Sequence, residues 1–137
     1  MKSATLAGAI AGAVMDIAFV ASGYVFGNLG VFVPPGGSME IWDLSMWILG
    51  SLAHLSLGII WGMILGAVYA YLYSLIPGKG AVKGLCFGLS MWIFKDVLAG
   101  SYLALTMNEV NSAIILIVVG FFMWIVYGPV LGFLYKK

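Results

Sequence analysis

The sequence predicts an all-α polytopic membrane protein: a bundle of four transmembrane helices made by duplicating a helical hairpin. Three observations lead to it. Of the 137 residues 64% are hydrophobic and only 8% charged, with a mean hydropathy of +1.13, which is outside the range of soluble domains. At ~20 apolar residues per bilayer crossing, the chain has room for four helices and short connections but none for a separate soluble domain. Two glycine-spaced motifs also occur twice along the chain, in the same order.

The first span reads from about Ala4 to Phe26 and is closed by "NLGVFVPPGGS", whose two prolines end any helix. Lys2 before an apolar run raises a cleaved signal peptide, but Asp16 interrupts the run, so it is read as a retained span. No strong breaker lies between Ile41 and Ile76, a stretch far longer than a ~30 Å hydrocarbon core at ~1.5 Å per residue. An interfacial helix over about 38–49, with Trp42 and Trp47 at headgroup level, is therefore expected, turning at Gly50-Ser51 into span two. "PGKG" at 77–80 then leads into span three, about Ala81 to Leu105, and "TMNEVN" into span four, about Val110 to Tyr135. The reading is one transmembrane domain over 1–137, with repeats over about 4–75 and 80–135.

"GAIAGAVM" and "GLCFGLSM" share GxxxGxxM, which matches Gly8, Gly12 and Met15 to Gly84, Gly88 and Met91. "GMILGAVY" and "GPVLGFLY" share GxxLGxxY, which matches Gly62, Gly66 and Tyr69 to Gly128, Gly132 and Tyr135. A repeat with two crossings keeps its orientation, so the halves are expected to be related by a pseudo-twofold axis along the membrane normal. Together with Gly58, these glycines read as helix-packing positions, where a missing side chain lets backbones approach.

The intramembrane charges carry the functional expectation. Counted from the cytoplasmic end, Asp16 falls near mid-membrane, Lys95 and Asp96 slightly beyond it, and His54 near the outer boundary. In α-helical geometry Lys95 shares a face with Gly84, Gly88 and Met91, and Asp16 lies within about 40° of Gly12. If the glycine faces meet, Asp16 pairs with Lys95, and Asp96, about 100° round the helix, is left as one acid too many. A protonated carboxylate, a cationic His54, or a cation or wet path would balance it. The bland alternative is a structural ion pair that holds helices together.

Other classes fall away. Six lysines, no arginine and a net charge of +1 give no footprint for nucleic acid. Cys86 has no partner for an internal disulfide, and one Cys with one His makes no zinc pattern. No cofactor is expected: His54 with the methionines could be read as a haem or metal site, but a helix-to-helix hydrogen bond explains a lone histidine better. No nucleophile elbow, phosphate loop or HExxH occurs, and nothing would activate a nucleophile beside Asp16, Asp96 and His54, so the chain is not read as an enzyme.

His54 followed by Gly58, Gly62 and Tyr69, after a proline-containing outer loop, resembles a pattern in uncharacterised small four-helix membrane proteins of bacteria and archaea. The resemblance covers mainly the first hairpin and implies the four-span topology. Two functions remain. One is a proton, cation or small-solute channel or transporter component acting through Asp16, Lys95, Asp96 and His54. The other is a non-catalytic subunit or assembly factor that binds membrane helices, of its own kind or another protein's, through its glycine faces.

Lys2, Lys79, Lys83, Lys136 and Lys137 fall on one side of the predicted topology and Glu40, Asp43 and Glu109 on the other, which places both termini in the cytoplasm at the cell membrane. A cysteine introduced at Gly37 should therefore react with an impermeant maleimide added outside intact cells; labelling only after permeabilisation would reverse the topology.

Overall fold

The structure, a computed structural model, describes residues 3–28, 44–108 and 110–135. Most of these are helical, residues 73–79 forming the turn between two helices, and there is no strand among them. Helix α1 spans Ala4–Asn28, α2 Leu44–Leu72, α3 Gly80–Trp92, α4 Leu98–Thr106 and α5 Val110–Leu134; a single π-helical turn, Ile93–Val97, joins α3 to α4. Three segments are long and apolar enough to cross a membrane: Ala4–Ala21, Ser51–Leu72 and Val110–Leu134.

One expected boundary is corrected. Helix α2 runs through Gly50 and Ser51 without a turn, so the segment entering span two is continuous with it from Leu44 onward. Gly and Ser lower helix propensity by only about 1 kcal/mol or less each, too little to interrupt a long apolar helix that satisfies its own backbone. The proline loop, residues 38–43 of the expected interfacial helix, and Glu109 lie outside the described residues.

Helices α1 and α2 pack antiparallel, as do α3–α4 and α5, and α1 against α5 joins the two hairpins. Within each hairpin the contact is backbone to backbone. A methyl group added at Gly8 would overlap the Gly62 carbonyl oxygen, and one at Gly12 the Gly58 carbonyl oxygen. In the second hairpin a methyl at Gly84 would strike Gly128, one at Gly88 would lie 2.5 Å from the Trp124 carbonyl oxygen, and one at Gly132 would strike Gly80. Gly8, Gly12, Gly58, Gly62, Gly66, Gly84, Gly88, Gly128 and Gly132 are all buried. These glycine faces are therefore occupied inside the hairpins. They do not meet between hairpins, and they are not open to other helices.

The inter-hairpin core is small residues on one side and large ones on the other. Ala7 and Ala11 of α1 lie fully buried in one cluster with Trp124, Tyr127 and Leu131 of α5, and with Tyr69 and Phe87. Tyr127 donates its hydroxyl to the Gly62 carbonyl at 3.1 Å, reaching past α1 into α2. At one end Tyr69, Tyr73 and Tyr135 meet edge to face, and Lys83 is buried among them, donating to the Tyr73 carbonyl at 2.5 Å. This lysine satisfies a backbone carbonyl left open just past the end of α2 and rests over the Tyr73 ring. It thus ties α3 to α2 rather than lying free in a loop.

Because the approach at Gly62 leaves no space for a side chain, Gly62→Val should destabilise the fold by about 1–3 kcal/mol or more, as overpacking does. Ala99→Leu, at an exposed site, should be nearly neutral; denaturant titration of the detergent-solubilised protein measures both.

Candidate functional site

The site is built by two carboxylates that side with α2 and α5 respectively. Asp16 continues the line of Gly8 and Gly12 along α1, one turn beyond Gly12, and so faces α2. Its side chain is 1% exposed, and Oδ1 lies 3.2 Å from His54 Nδ1. Oδ2 presses on the Cα of Gly58, where any side chain would collide with it, and has no hydrogen-bond partner among the described residues. The imidazole is 46% exposed and stacks on Phe19, with centroids 4.8 Å apart and planes 14° from parallel.

Asp96 is 2% exposed, and both of its oxygens are engaged. Oδ1 accepts from Lys95 Nζ at 3.2 Å, and Oδ2 accepts from the indole N–H of Trp124 at 2.5 Å. A methyl group at Gly120 would lie 2.5 Å from Oδ2. Lys95 itself is 67% exposed.

Two expectations are corrected by this geometry. Asp16 pairs with His54, not with Lys95, and Asp96 is matched rather than left over. The cause is the π turn. In an unbroken α-helix the face of Gly84 and Gly88 would continue to Lys95; one extra residue in a turn rotates everything after it by about 100°. The buried face accordingly runs Gly84, Gly88, Asp96, Gly100, and Lys95 swings to the outside. From there it bends back along the helix surface to Asp96. The level of His54 is corrected as well: antiparallel pairing of Gly12 with Gly58 places His54 beside Asp16, not at a separate outer boundary.

The two carboxylates are held by the same device in mirrored order. Aligning the GxxLGxxY motifs sets His54 opposite Gly120 and Gly58 opposite Trp124. Each aspartate thus meets one glycine that makes room and one ring N–H or imidazole nitrogen that binds it, with ring and glycine exchanged between hairpins. Sequence reasoning missed Trp124, which looked like one more apolar residue. Its four-residue spacing from both Gly120 and Gly128 is the signal that places it on the packing face. Trp92 is anchored similarly, donating to the Ile117 carbonyl at 2.9 Å. Met15 and Met91 only pack against the core, and no group of three or more metal-binding side chains occurs among the described residues.

Comparison with protein-family models, with curated proteins and with solved structures gives no match to this chain. The geometry alone has to support any function.

A double-mutant cycle tests the pairing. Asp16→Asn and His54→Leu should couple by about 1 kcal/mol, the scale of interhelical polar contacts in membranes. Asp16→Asn and Lys95→Met should add within about 0.5 kcal/mol; strong coupling in that second pair would restore the Asp16–Lys95 bond.

Proposed function

We propose that the chain is a four-span membrane subunit, two repeats of one hairpin, that binds another membrane protein's helices through the outer face of α3, the π turn and α4. The observation that carries this reading is Lys95. Its side chain is 67% exposed on a face where Ile93, Phe94, Leu98 and Tyr102 are each at least half exposed. The turn that holds it lies near the middle of the Gly80–Thr106 segment, so in a bilayer it is roughly 16 Å or more from either end of the helix at ~1.5 Å per residue. Lipid tails do not solvate an ammonium, and a side chain that far in does not snorkel to water easily. A neighbouring helix offering a carboxylate or a backbone carbonyl would complete its coordination. Asp96 supports the reading from inside, since with both oxygens bonded to protein groups it no longer calls for a mobile cation.

The surface that binds is therefore the lysine face and not the glycine faces, which are used within the hairpins. Four crossings follow if α3, the π turn and α4 together count as one, since the three segments form an uninterrupted helical run. The repeat is supported by the matching glycine contacts of the two hairpins.

A proton or cation pathway stands as a second reading, on a different observation: the unpartnered Oδ2 of Asp16 at mid-span. The two separate experimentally. A photo-crosslinking residue at Phe94 should capture a second membrane protein in native membranes, and Lys95→Leu should reduce co-purification in mild detergent by about tenfold or more, a loss of roughly 1.4 kcal/mol. A protein that stays alone on extraction and dissipates a proton gradient in liposomes, with flux abolished by Asp16→Asn, would replace the subunit reading with the transport one.

A further inference from the structure

The first hairpin carries a polar site that the subunit reading does not use. His54 Nδ1 is fixed on Asp16, which is itself held by burial against Gly58, and Phe19 covers the imidazole in parallel stacking. A ring held by a carboxylate on one nitrogen and by a stacked ring on its plane has a fixed orientation, as in the carboxylate–histidine pairs that aim an imidazole at a ligand. The nitrogen left over is Nε2, which has no partner among the described residues, on a side chain that is 46% exposed. The helix surface near it is apolar: Leu57 and Trp61, about one and two turns further along α2 on the face of His54, and Ile17, next to Asp16 on α1, are each more than half exposed. Asp16 lies ~18 Å along α1 at ~1.5 Å per residue, so the site faces acyl chains and not water.

A ligand for Nε2 must therefore arrive dissolved in the bilayer and be apolar over most of its surface. It also needs one oxygen able to hydrogen-bond. Imidazole donates from Nε2 when both nitrogens carry protons and accepts there when only Nδ1 does, so it suits a head that is a carbonyl in one form and a hydroxyl in another. A flat ring is the kind of apolar body that packs favourably beside the stacked Phe19 and His54 rings. A metal is disfavoured by the ligand count, since no cluster of three ligating side chains is present among the described residues.

We propose that the Asp16–His54 pair is a binding site for a lipid-soluble quinone or quinol, whose ring oxygen hydrogen-bonds to His54 Nε2. It lies on the other hairpin from Lys95 and stands or falls separately from partner binding.

The chain has one histidine, so imidazole ¹⁵N labelling of the full-length protein in lipid nanodiscs gives one Nδ1 and one Nε2 resonance. Titration with decyl-ubiquinone should move Nε2 saturably while Nδ1, held by Asp16, shifts less. His54→Asn should weaken decyl-ubiquinone binding by about tenfold or more with the helical circular dichroism retained. Asp16→Asn should leave the ring in place but mix its tautomers, visible in the same spectrum before any quinone is added. Dioleoylglycerol, which carries a hydroxyl and ester oxygens but no ring, should leave Nε2 unmoved. An unresponsive Nε2 in the native protein, undiminished quinone binding by folded His54→Asn, or an equal shift with dioleoylglycerol would each overturn the assignment.

Discussion

Everything else in this molecule depends on how closely the helices of each hairpin approach. At Gly8 against Gly62, and at Gly84 against Gly128, there is no room for even one methyl group between the backbones. In water such a contact would follow from expelling solvent. In a bilayer, which three of the described helical segments are long and apolar enough to cross, it would have to come from van der Waals packing and from hydrogen bonds that lipid cannot supply. A glycine at every fourth position makes the packing available. The same closeness sets the place at which each aspartate meets its partner helix, because Asp16, one turn past Gly12, and Asp96, two turns past Gly88, have only the facing helix in front of them.

The burial of Asp16 and Asp96 follows from that approach and would be costly without compensation. An isolated charge at the centre of a bilayer costs about 2.5–3.5 kcal/mol on insertion scales. Each hairpin answers it with a glycine that lets the carboxylate in and a ring nitrogen that binds it: Gly58 and His54 in one, Gly120 and Trp124 in the other. The outcome differs in a way that matters for function. Asp96 is fully satisfied, by Trp124 and Lys95, and the open valence of that hairpin is moved outward onto the ammonium. Among the described residues Asp16 Oδ2 has no hydrogen-bond partner, and none is found for Nε2 of its half-exposed partner imidazole. One hairpin thus presents a cation to whatever lies beside it, the other an oriented imidazole.

The π turn at Ile93–Val97 is the element that separates these two roles. It shifts the buried face of the third helical run by one residue, which turns Asp96 inward and Lys95 outward. Without it Lys95 would occupy the α5-facing position, and the exposed cation on which the proposed partner binding rests would be absent. A turn of this kind gives up regular i to i−4 hydrogen bonding locally, and such turns recur where a side chain has to be re-aimed.

Composition and period by themselves determined that the chain is helical and apolar enough for a bilayer, where the α1 and α5 helices run, and most of the glycines that lie at close contacts, though not Gly100 and Gly120. Those follow from local rules: an apolar run of sufficient length must satisfy its own backbone hydrogen bonds, and a stripe of glycines at helical spacing must lie on one face. Which charges pair was decided only by the tertiary structure. Asp16 and Lys95 look complementary on an ideal helix, but the glycine faces are closed within the hairpins and do not meet between them, and that sets His54 beside Asp16. The π turn then undoes the ideal-helix register for Lys95 and Asp96, and it has no signature in residue type that distinguishes "IFKDV" from an ordinary turn. Pairing depends on register summed over a whole helix and on which helices are neighbours, and neither is encoded locally.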